Sequence, residues 1–408
     1  MKLFTSISRV GLLLGLSLLC STAKAQYDCN NDRFLQEVFS DVTVTSNIEY
    51  GSAITYSGST QSLLLDVYEP TGDAFTVRPL IVFAHGGSFM FGDKASSDMV
   101  TLCTKYAKLG YVCASINYRL GFEGFIPNAN TATQAAYRAT SDMRAAIRYF
   151  RKEFSTDNLF RIDTTNIYAA GVSAGAFMAV HVGYLDQPEE IPSAVDPIAY
   201  GGIEGFSGNE GYSSKVKAIV NLCGALGDTS WINEGDAPCI SMHGTIDDVV
   251  PYGTAVINVL GVSLFEVDGS RSIALRQEHV GLRHEFISWN GAAHVPFVAS
   301  ALYMDSVFMA VTPFLAEQLG CDVQTGMEET SSSQLLNIFP NPAQELVSIR
   351  SNEPFDRIEL IDLQGRVLWS TQAAQSSQNI SLSSYEKGIY LIRILQGKSL
   401  ITKKIVHN

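Results

Sequence analysis

No two cysteines of the chain stand in a C-x-x-C pair, so the commonest signature of a structural zinc site is missing. No stretch beyond residue 25 reaches the roughly 18 consecutive apolar residues that a membrane-spanning helix requires. Basic residues are scarce: 28 Lys and Arg stand against 41 Asp and Glu, a formal charge of −13. The first 25 residues hold about +3 and the last seventy or so about +2, which leaves about −18 on the middle of the chain. Such a field disfavours nucleic acid and polyanionic substrates, and otherwise serves solubility. No internal repeat is evident, so a solenoid or propeller is not expected.

What is present is 408 residues with 46% hydrophobic content, enough for one large core and a small second domain. Residues 1–25 read as a signal peptide: Lys2 and Arg9 lead into "VGLLLGLSLL", and Ala23-Lys24-Ala25 supplies small residues for cleavage. Lipoprotein processing at Cys20 is disfavoured by the bulk of Leu19 before it. Beyond the leader stand Cys29, Cys103, Cys113, Cys223, Cys239 and Cys321, an even number in an exported chain, which favours disulfides over free thiols. Cys103 with Cys113, and Cys223 with Cys239, fall on successive elements and are plausible neighbours, but the pairing stays open.

From Leu80 to about Cys321, short β-branched runs alternate with helical patterns, which predicts a mostly parallel sheet covered on both faces. "SNIEYGSAITYSG" and "QSLLLDVYEP" upstream predict an antiparallel hairpin. Within residues 136–154, Met143, Ala146, Ile147, Phe150 and Phe154 keep helical spacing, with Arg144, Arg148 and Lys152 expected on the surface. "VKAIVNLCGAL", "PCISMHG" and "HEFISWNG" read as further strands, and "VPFVASALYMDSVFMAVTPFLAEQL" as a closing helix. Residues 321–335 lose apolar periodicity, as linkers do. Residues 336–408 are short alternating strands between glycine turns, the pattern of a small all-β sandwich. The expected plan is therefore a leader over 1–25, an α/β domain over 26–320, the linker, and the β domain.

"NIYAAGVSAGAFMAV" begins as a buried strand and continues as a helix, with Ser173 between Gly171 and Gly175 at the turn. A strand that turns sharply into a helix strains its tip residue and needs small neighbours, so Ser173 reads as an exposed nucleophile. A serine hydroxyl needs a base, a carboxylate to orient that base, and amides to hold an oxyanion. "IVFAHGGSFMFGD" places glycines directly after a strand, where the amides of Gly86 and Gly87, with that of Ser88 as a further candidate, would join that of Ala174. "SMHGTIDDVVPY" offers Asp247, with Asp248 as the alternative acid. "WNGAAHVPF" puts His294 in a short loop suited to a proton shuttle. His85 and His243 read as packing residues at strand ends. Residues 189–214, rich in glycine and aromatics, interrupt the fold after the elbow helix; they either line a substrate pocket or form a structural insertion.

With Ser173, Asp247 and His294 in that order, the chain resembles the α/β-hydrolase superfamily, in particular esterases with "HGGxFxxGDK" and "GxSAG" motifs, among them bacterial acetylxylan and feruloyl esterases. The resemblance covers about residues 45–318. It implies a catalytic set of Ser173, Asp247 and His294, an oxyanion hole from Gly86, Gly87 and Ala174, no metal or organic cofactor, and hydrolysis of carbohydrate or lipid-like esters. Ser88 stands where many such esterases have a third glycine. Lipases, short-chain carboxylesterases and polyester hydrolases use the same parts; a peptidase is disfavoured because nothing upstream is long enough for a propeller, and a non-catalytic adhesion module because the Ser/Asp/His set is intact. From about Ile338, "IFPNP", "IELIDLQGRVL", "GIYLIRI" and "KKIV" resemble the C-terminal sorting domain of the type IX secretion system. That resemblance implies a secreted or cell-surface protein whose tail meets the export machinery. A carbohydrate-binding tail, with Trp369 and Tyr390 as its candidate face, is the alternative.

Overall fold

The computed structural model describes residues 27, 29, 32–124, 126–259, 261–321, 336–351, 353–362, 366–372, 375–396 and 399–407. The predicted leader, and the predicted linker apart from Cys321, lie outside them.

An antiparallel hairpin opens the fold, β1 (Val42–Ile54) with β2 (Thr60–Pro70). Then follow β3 (Arg78–Ala84), α1 (Ser97–Leu109), β4 (Val112–Ile116), α2 (Ala129–Thr156), β5 (Ile162–Val172) and α3 (Ala174–Tyr184). After them come α4 (Pro197–Tyr200), β6 (Ala218–Leu222), β7 (Ala225–Leu226), β8 (Cys239–Gly244), β9 (Thr254–Val259), β10 (Val262–Gly269), α5 (Ser270–His279), β11 (His284–Trp289) and α6 (Ala301–Gln318). The main sheet has eight strands in the order β1-β2-β4-β3-β5-β6-β8-β11, parallel from β4 to β11. Four of its inner strands, β3, β4, β6 and β8, are buried at every residue, because helices cover both faces. The helix α3 is apolar on nearly all sides and correspondingly buried, whereas α2 begins with a capping box between Asn128 and Thr131.

The order places the C-terminal ends of β3 and β5 side by side, Ala84 opposite Gly171, and those of β8 and β11 side by side, Gly244 opposite Trp289. Loops leaving these ends meet at one edge of the sheet, where open α/β sheets bind their ligands.

Several expectations need correction. Arg144 and Arg148 are buried, at 3% and 1% exposure. Arg144 donates to the carbonyls of His181 and Leu185, and Arg148 to those of Glu204 and Gly208 and to the Glu204 carboxylate. The segment 189–214 folds over them. Among the described residues the only disulfide joins Cys29 to Cys321, so Cys321 belongs to the packed core rather than to a linker; Cys103, Cys113, Cys223 and Cys239 are buried free thiols. The hairpin of β9 and β10, and α5 after it, have no counterpart in the sequence reading; β10 also pairs with β7 in a small second sheet. The closing helix begins at Ala301, after a single 3-10 turn over Pro296–Val298.

The C-terminal region forms two antiparallel sheets. β12 (Asn337–Phe339), β13 (Leu346–Arg350) and β16 (Ser377–Ser381) make one; β15 (Val367–Gln372), β14 (Arg357–Ile361), β17 (Gly388–Gln396) and β18 (Ser399–His407) make the other. Alternating residues such as Val347, Ile349, Ile358, Leu360, Ile392 and Ile394 fill their shared core. Tyr390 is buried and Trp369 packs against that core, so they do not form an open binding face. Among the described residues no helix is long and apolar enough to cross a membrane.

Candidate active site

Ser173 stands between β5 and α3 with φ 54° and ψ −116°, a conformation that costs a residue with a Cβ of order 1–3 kcal/mol and persists only where the surroundings enforce it. The flanking glycines explain the enforcement. A Cβ on Gly171 would lie 2.1 Å from the carbonyl carbon of Gly175, and one on Gly175 would lie 2.0 Å from the carbonyl oxygen of Ala84. Strand, elbow and helix are thus pressed together at backbone distance, which leaves the serine at the tip of the turn.

The Ser173 hydroxyl lies 2.8 Å from His294 Nε2, and His294 Nδ1 lies 2.6 Å from Asp247 Oδ2. Asp247 Oδ1 accepts from the amides of Val249 and Val250, each at 2.9 Å. Burial pushes the Asp247 pKa up, but hydrogen bonds from His243 and His294 and the nearby His294 charge outweigh it, and the carboxyl sits well below the usual carboxylate range. Asp248, the alternative acid, points into solvent. Gly244 lets the two loops approach: a Cβ there would meet the carbonyl oxygens of Ala292 and Ala293. Bonds from Ile246 N to Ala292 O and from Gly291 N to Thr245 Oγ1 then join the loops.

The glycine loop after β3 lies against the elbow: a Cβ on Gly86 would lie 3.2 Å from the Val172 carbonyl oxygen and 3.3 Å from Ser173 Cβ. Ala174 opens α3, where an amide has no partner within the helix. Among the described residues, none of the amides of Gly86, Gly87 and Ala174 is engaged in a hydrogen bond. His85 holds this loop: its ring stacks on Tyr118, whose hydroxyl donates to the His85 carbonyl. Lys94 anchors the far end through a buried ion pair with Asp66 at 2.7 Å and the Ser115 hydroxyl on its carbonyl. The "GDK" run is therefore a clamp on β2 and β4.

Two cavities meet at Ser173. One, about 50 Å³, is walled by Phe89, Phe122, Phe177, Leu264 and Phe265; the other, about 300 Å³, is lined by His294, Gly86, Gly87 and Asp98. No residue of 189–214 lines either, although Pro192 lines a third cavity that shares Ala136, Phe177 and Phe265 with the narrow one. The hairpin of β9 and β10 supplies Ile257, Leu264 and Phe265 to the narrow cavity.

Among the described residues, one set of three metal-ligand types converges, Cys223, Asp247 and His294, with ligand atoms within 4.8 Å of one another. Asp247 and His294 are engaged with each other, and burial pushes the Cys223 thiol up to about 12, so it stays protonated rather than offering a thiolate. His243, read from sequence as packing, places Nε2 3.1 Å from Asp247 Oδ2. Its spacing of four residues from Asp247, at the end of a strand, was the available signal.

A family model described as BD-FAE matches residues 65–227, and one described as the secretion system C-terminal sorting domain matches residues 337–408. Among curated proteins, Lipase 1 of Geotrichum candidum is 29% identical over 160 residues, 38% of this chain and 25% of the relative. Gut esterase 1 of Caenorhabditis elegans is 28% identical over 122 residues, 30% of this chain and 20% of the relative. The chain thus spans a quarter or less of the length of these relatives. Among solved structures, a truncated carbohydrate esterase from gut microbiota aligns at 21% identity and a TM-score of 0.47, over 70% of this chain and 98% of that one. The apo form of Thermogutta terrifontis esterase 2 aligns at 21% and 0.47, over 69% and 96%.

Proposed function

We propose that this chain, which carries a BD-FAE esterase domain of the α/β-hydrolase fold ahead of a secretion-system C-terminal sorting domain, is an exported serine esterase working through an acyl-enzyme. The sorting domain indicates a secreted or cell-surface protein and implies the type IX secretion machinery as its export partner. The observation that carries the catalytic reading is the hydrogen-bonded row Ser173–His294–Asp247 at a strained strand-to-helix turn.

In this reading the Ser173 oxygen attacks the ester carbonyl while His294 Nε2 takes its proton, and Asp247 Oδ2 accepts from Nδ1–H, fixing the tautomer and stabilising the imidazolium. The carbonyl oxygen, now anionic, is held by the amides of Gly86, Gly87 and Ala174. His294 then gives its proton to the departing alkoxide. Water, deprotonated by the same nitrogen, releases the acid and restores Ser173. No step calls for a metal or organic cofactor.

Because His294 must reach the leaving oxygen, the alcohol occupies the cavity that His294 lines, and the acyl group the narrow one. The wider cavity suits a sugar carrying the ester. The narrow one, roughly the volume of one or two waters, suits a short acyl group such as acetyl. Its phenylalanine walls favour a second reading, an aromatic acyl group such as feruloyl, admitted by movement of those rings. Rates on p-nitrophenyl acetate, p-nitrophenyl butyrate, methyl ferulate and acetylated xylan distinguish the two. Ser173→Ala is expected to fold and to lose ester hydrolysis by several orders of magnitude; near-normal turnover by the purified variant would refute the mechanism.

A further inference from the structure

We infer that His243 is a positioning residue for the Ser173–His294–Asp247 row, holding the Asp247 carboxylate where His294 needs it; the inference rests on the serine-esterase reading above. His243 is the penultimate residue of β8 and is fully buried. Its Nε2 lies 3.1 Å from Asp247 Oδ2 and 3.1 Å from the carbonyl oxygen of Val250. Both neighbours only accept, so Nε2 carries the hydrogen. The ring therefore donates to the same carboxylate oxygen that receives His294 Nδ1–H.

The opposite nitrogen is anchored as well. Nδ1 lies 2.7 Å from the hydroxyl of Ser270, the first residue of α5. Asn221 Nδ2 donates to the Ser270 oxygen at 3.1 Å and to Ser241 Oγ at 3.0 Å, while Asn221 Oδ1 accepts from Gly224 N. The Ser270 hydroxyl also donates to the Gly224 carbonyl at 3.2 Å, so Ser270 Oγ ties the His243 ring both to Asn221 and to the turn after β6. Asn221, Ser270, His243 and Asp247 form one connected series of hydrogen bonds between buried side chains, ending at the carboxylate. The loop after β8 closes around the ring: Asp247, Val249 and Val250 meet it or one another, and Tyr252 packs edge-on to it.

Two consequences separate this role from plain packing. Without the His243 donor, the carboxylate keeps only the amides and His294 and is free to turn, so turnover falls while substrate binding does not. The freed oxygen also becomes a stronger acceptor for the imidazolium of His294, so the acid limb of the kcat/KM profile moves to higher pH. The groups facing this pair are Ser173 from the elbow, the Cys223 thiol after β6, and Asp98 of α1 and His85 across the wider cavity. None of them changes in the His243 and Ser270 variants below.

The test uses the full chain and p-nitrophenyl acetate, with His243→Leu, His243→Gln, Ser270→Ala and Ser173→Ala compared by kcat, KM, pH profile and thermal melting. His243→Leu is expected to lower kcat by about 10- to 100-fold with KM within about twofold, the usual scale for losing a hydrogen bond to a charged group. His243→Gln, whose amide N–H reaches the same oxygen, restores most of that loss, and Ser270→Ala falls between the wild type and His243→Leu. Should His243→Leu not fold, Gln and Ser270→Ala carry the test through the acid limb, which stays in place for Gln and rises for Ser270→Ala. A folded His243→Leu with kcat within twofold of wild type, or Leu and Gln variants equally impaired, overturns the positioning role. Full activity in Ser173→Ala overturns the esterase reading itself, a separate outcome.

Discussion

Replacing Gly175 by alanine puts a methyl group where the backbone of the neighbouring strand already is. The added carbon would sit 2.0 Å from the carbonyl oxygen of Ala84, 2.5 Å from its carbonyl carbon and 2.8 Å from the carbonyl oxygen of His85. Relief requires α3 and the end of β3 to separate by about 1 Å in a region packed as densely as an organic crystal. Backbone atoms cannot rotate aside as a side-chain tip would. The expected loss of stability is about 1–3 kcal/mol, the range for overpacking a close-fitted core, and the melting temperature falls by several degrees. The catalytic effect is larger than the stability suggests, because the displaced strand leads directly into Gly86 and Gly87. Moving those amides about 1 Å from the carbonyl they serve costs kcat on the order of 100-fold, with a smaller change in KM. Steady-state kinetics on p-nitrophenyl acetate at 25 °C, alongside calorimetry, measure both. A variant that melts with the wild type and turns over within threefold of it would refute the close approach as the reason for glycine.

Other consequences are open to simpler measurement. Burial holds the His181 imidazole neutral, its pKa lowered to about 4. A depressed histidine contributes stability that is fully present above its unfolded value near 6.5 and is lost as pH falls toward 4, by about 2–3 kcal/mol; urea unfolding across that window should show the decline, and His181→Gln should flatten it. Asp247 stays ionised through the same window, so kcat/KM should rise with pH as His294 becomes neutral, and His294→Gln should abolish turnover. Removing the Cys29–Cys321 bridge with Cys29→Ser should cost up to about 5–6 kcal/mol, the chain-entropy expectation for so long a loop, and leave kcat at 25 °C unchanged; an equal melting temperature would contradict it. Arg148→Met leaves the Gly208 and Glu204 carbonyls unpaired and should destabilise by about 3 kcal/mol or more, with ester turnover retained in the folded fraction. A collapse of kcat/KM without destabilisation would make 189–214 part of the site.

The grouping of Ser173, Asp247 and His294 was legible because each lies in a short contiguous motif whose backbone demands are local, and the order of strands then brings the three loop ends together. Gly171 and Gly175 show the same locality. What escaped the sequence depends on partners far along the chain. Arg144 and Arg148 have the spacing of an exposed helix face, and only the later fold-back of 189–214 buries them. Cys103 and Cys113 are close in sequence and lie on adjacent elements, yet the bridge joins residues 292 apart, a separation that no local pattern encodes. His243 reads as a packing residue because its meaning lies in Asn221 and Ser270, on two other elements. The β9–β10 hairpin sits between two motif-bearing segments and carries no motif, although its apolar residues close one of the two cavities at the serine.

The bridge from Cys29 to Cys321 also decides how the folded unit answers a pull. Cys321 lies just beyond α6, on the side of the chain that leads to the sorting domain. A protein held at a cell surface by its C-terminal end feels drag from the medium there. Without a crosslink, such a load would peel α6 away from the sheet one turn at a time, the weakest direction for a packed helix. Tied to Cys29, the same load is shared with the N-terminal segment, where Tyr27 and Phe34 are seated in the core beneath α1 and β4. Two anchored segments must then be drawn out together, so a tethered chain would bear flow in shear rather than in peel.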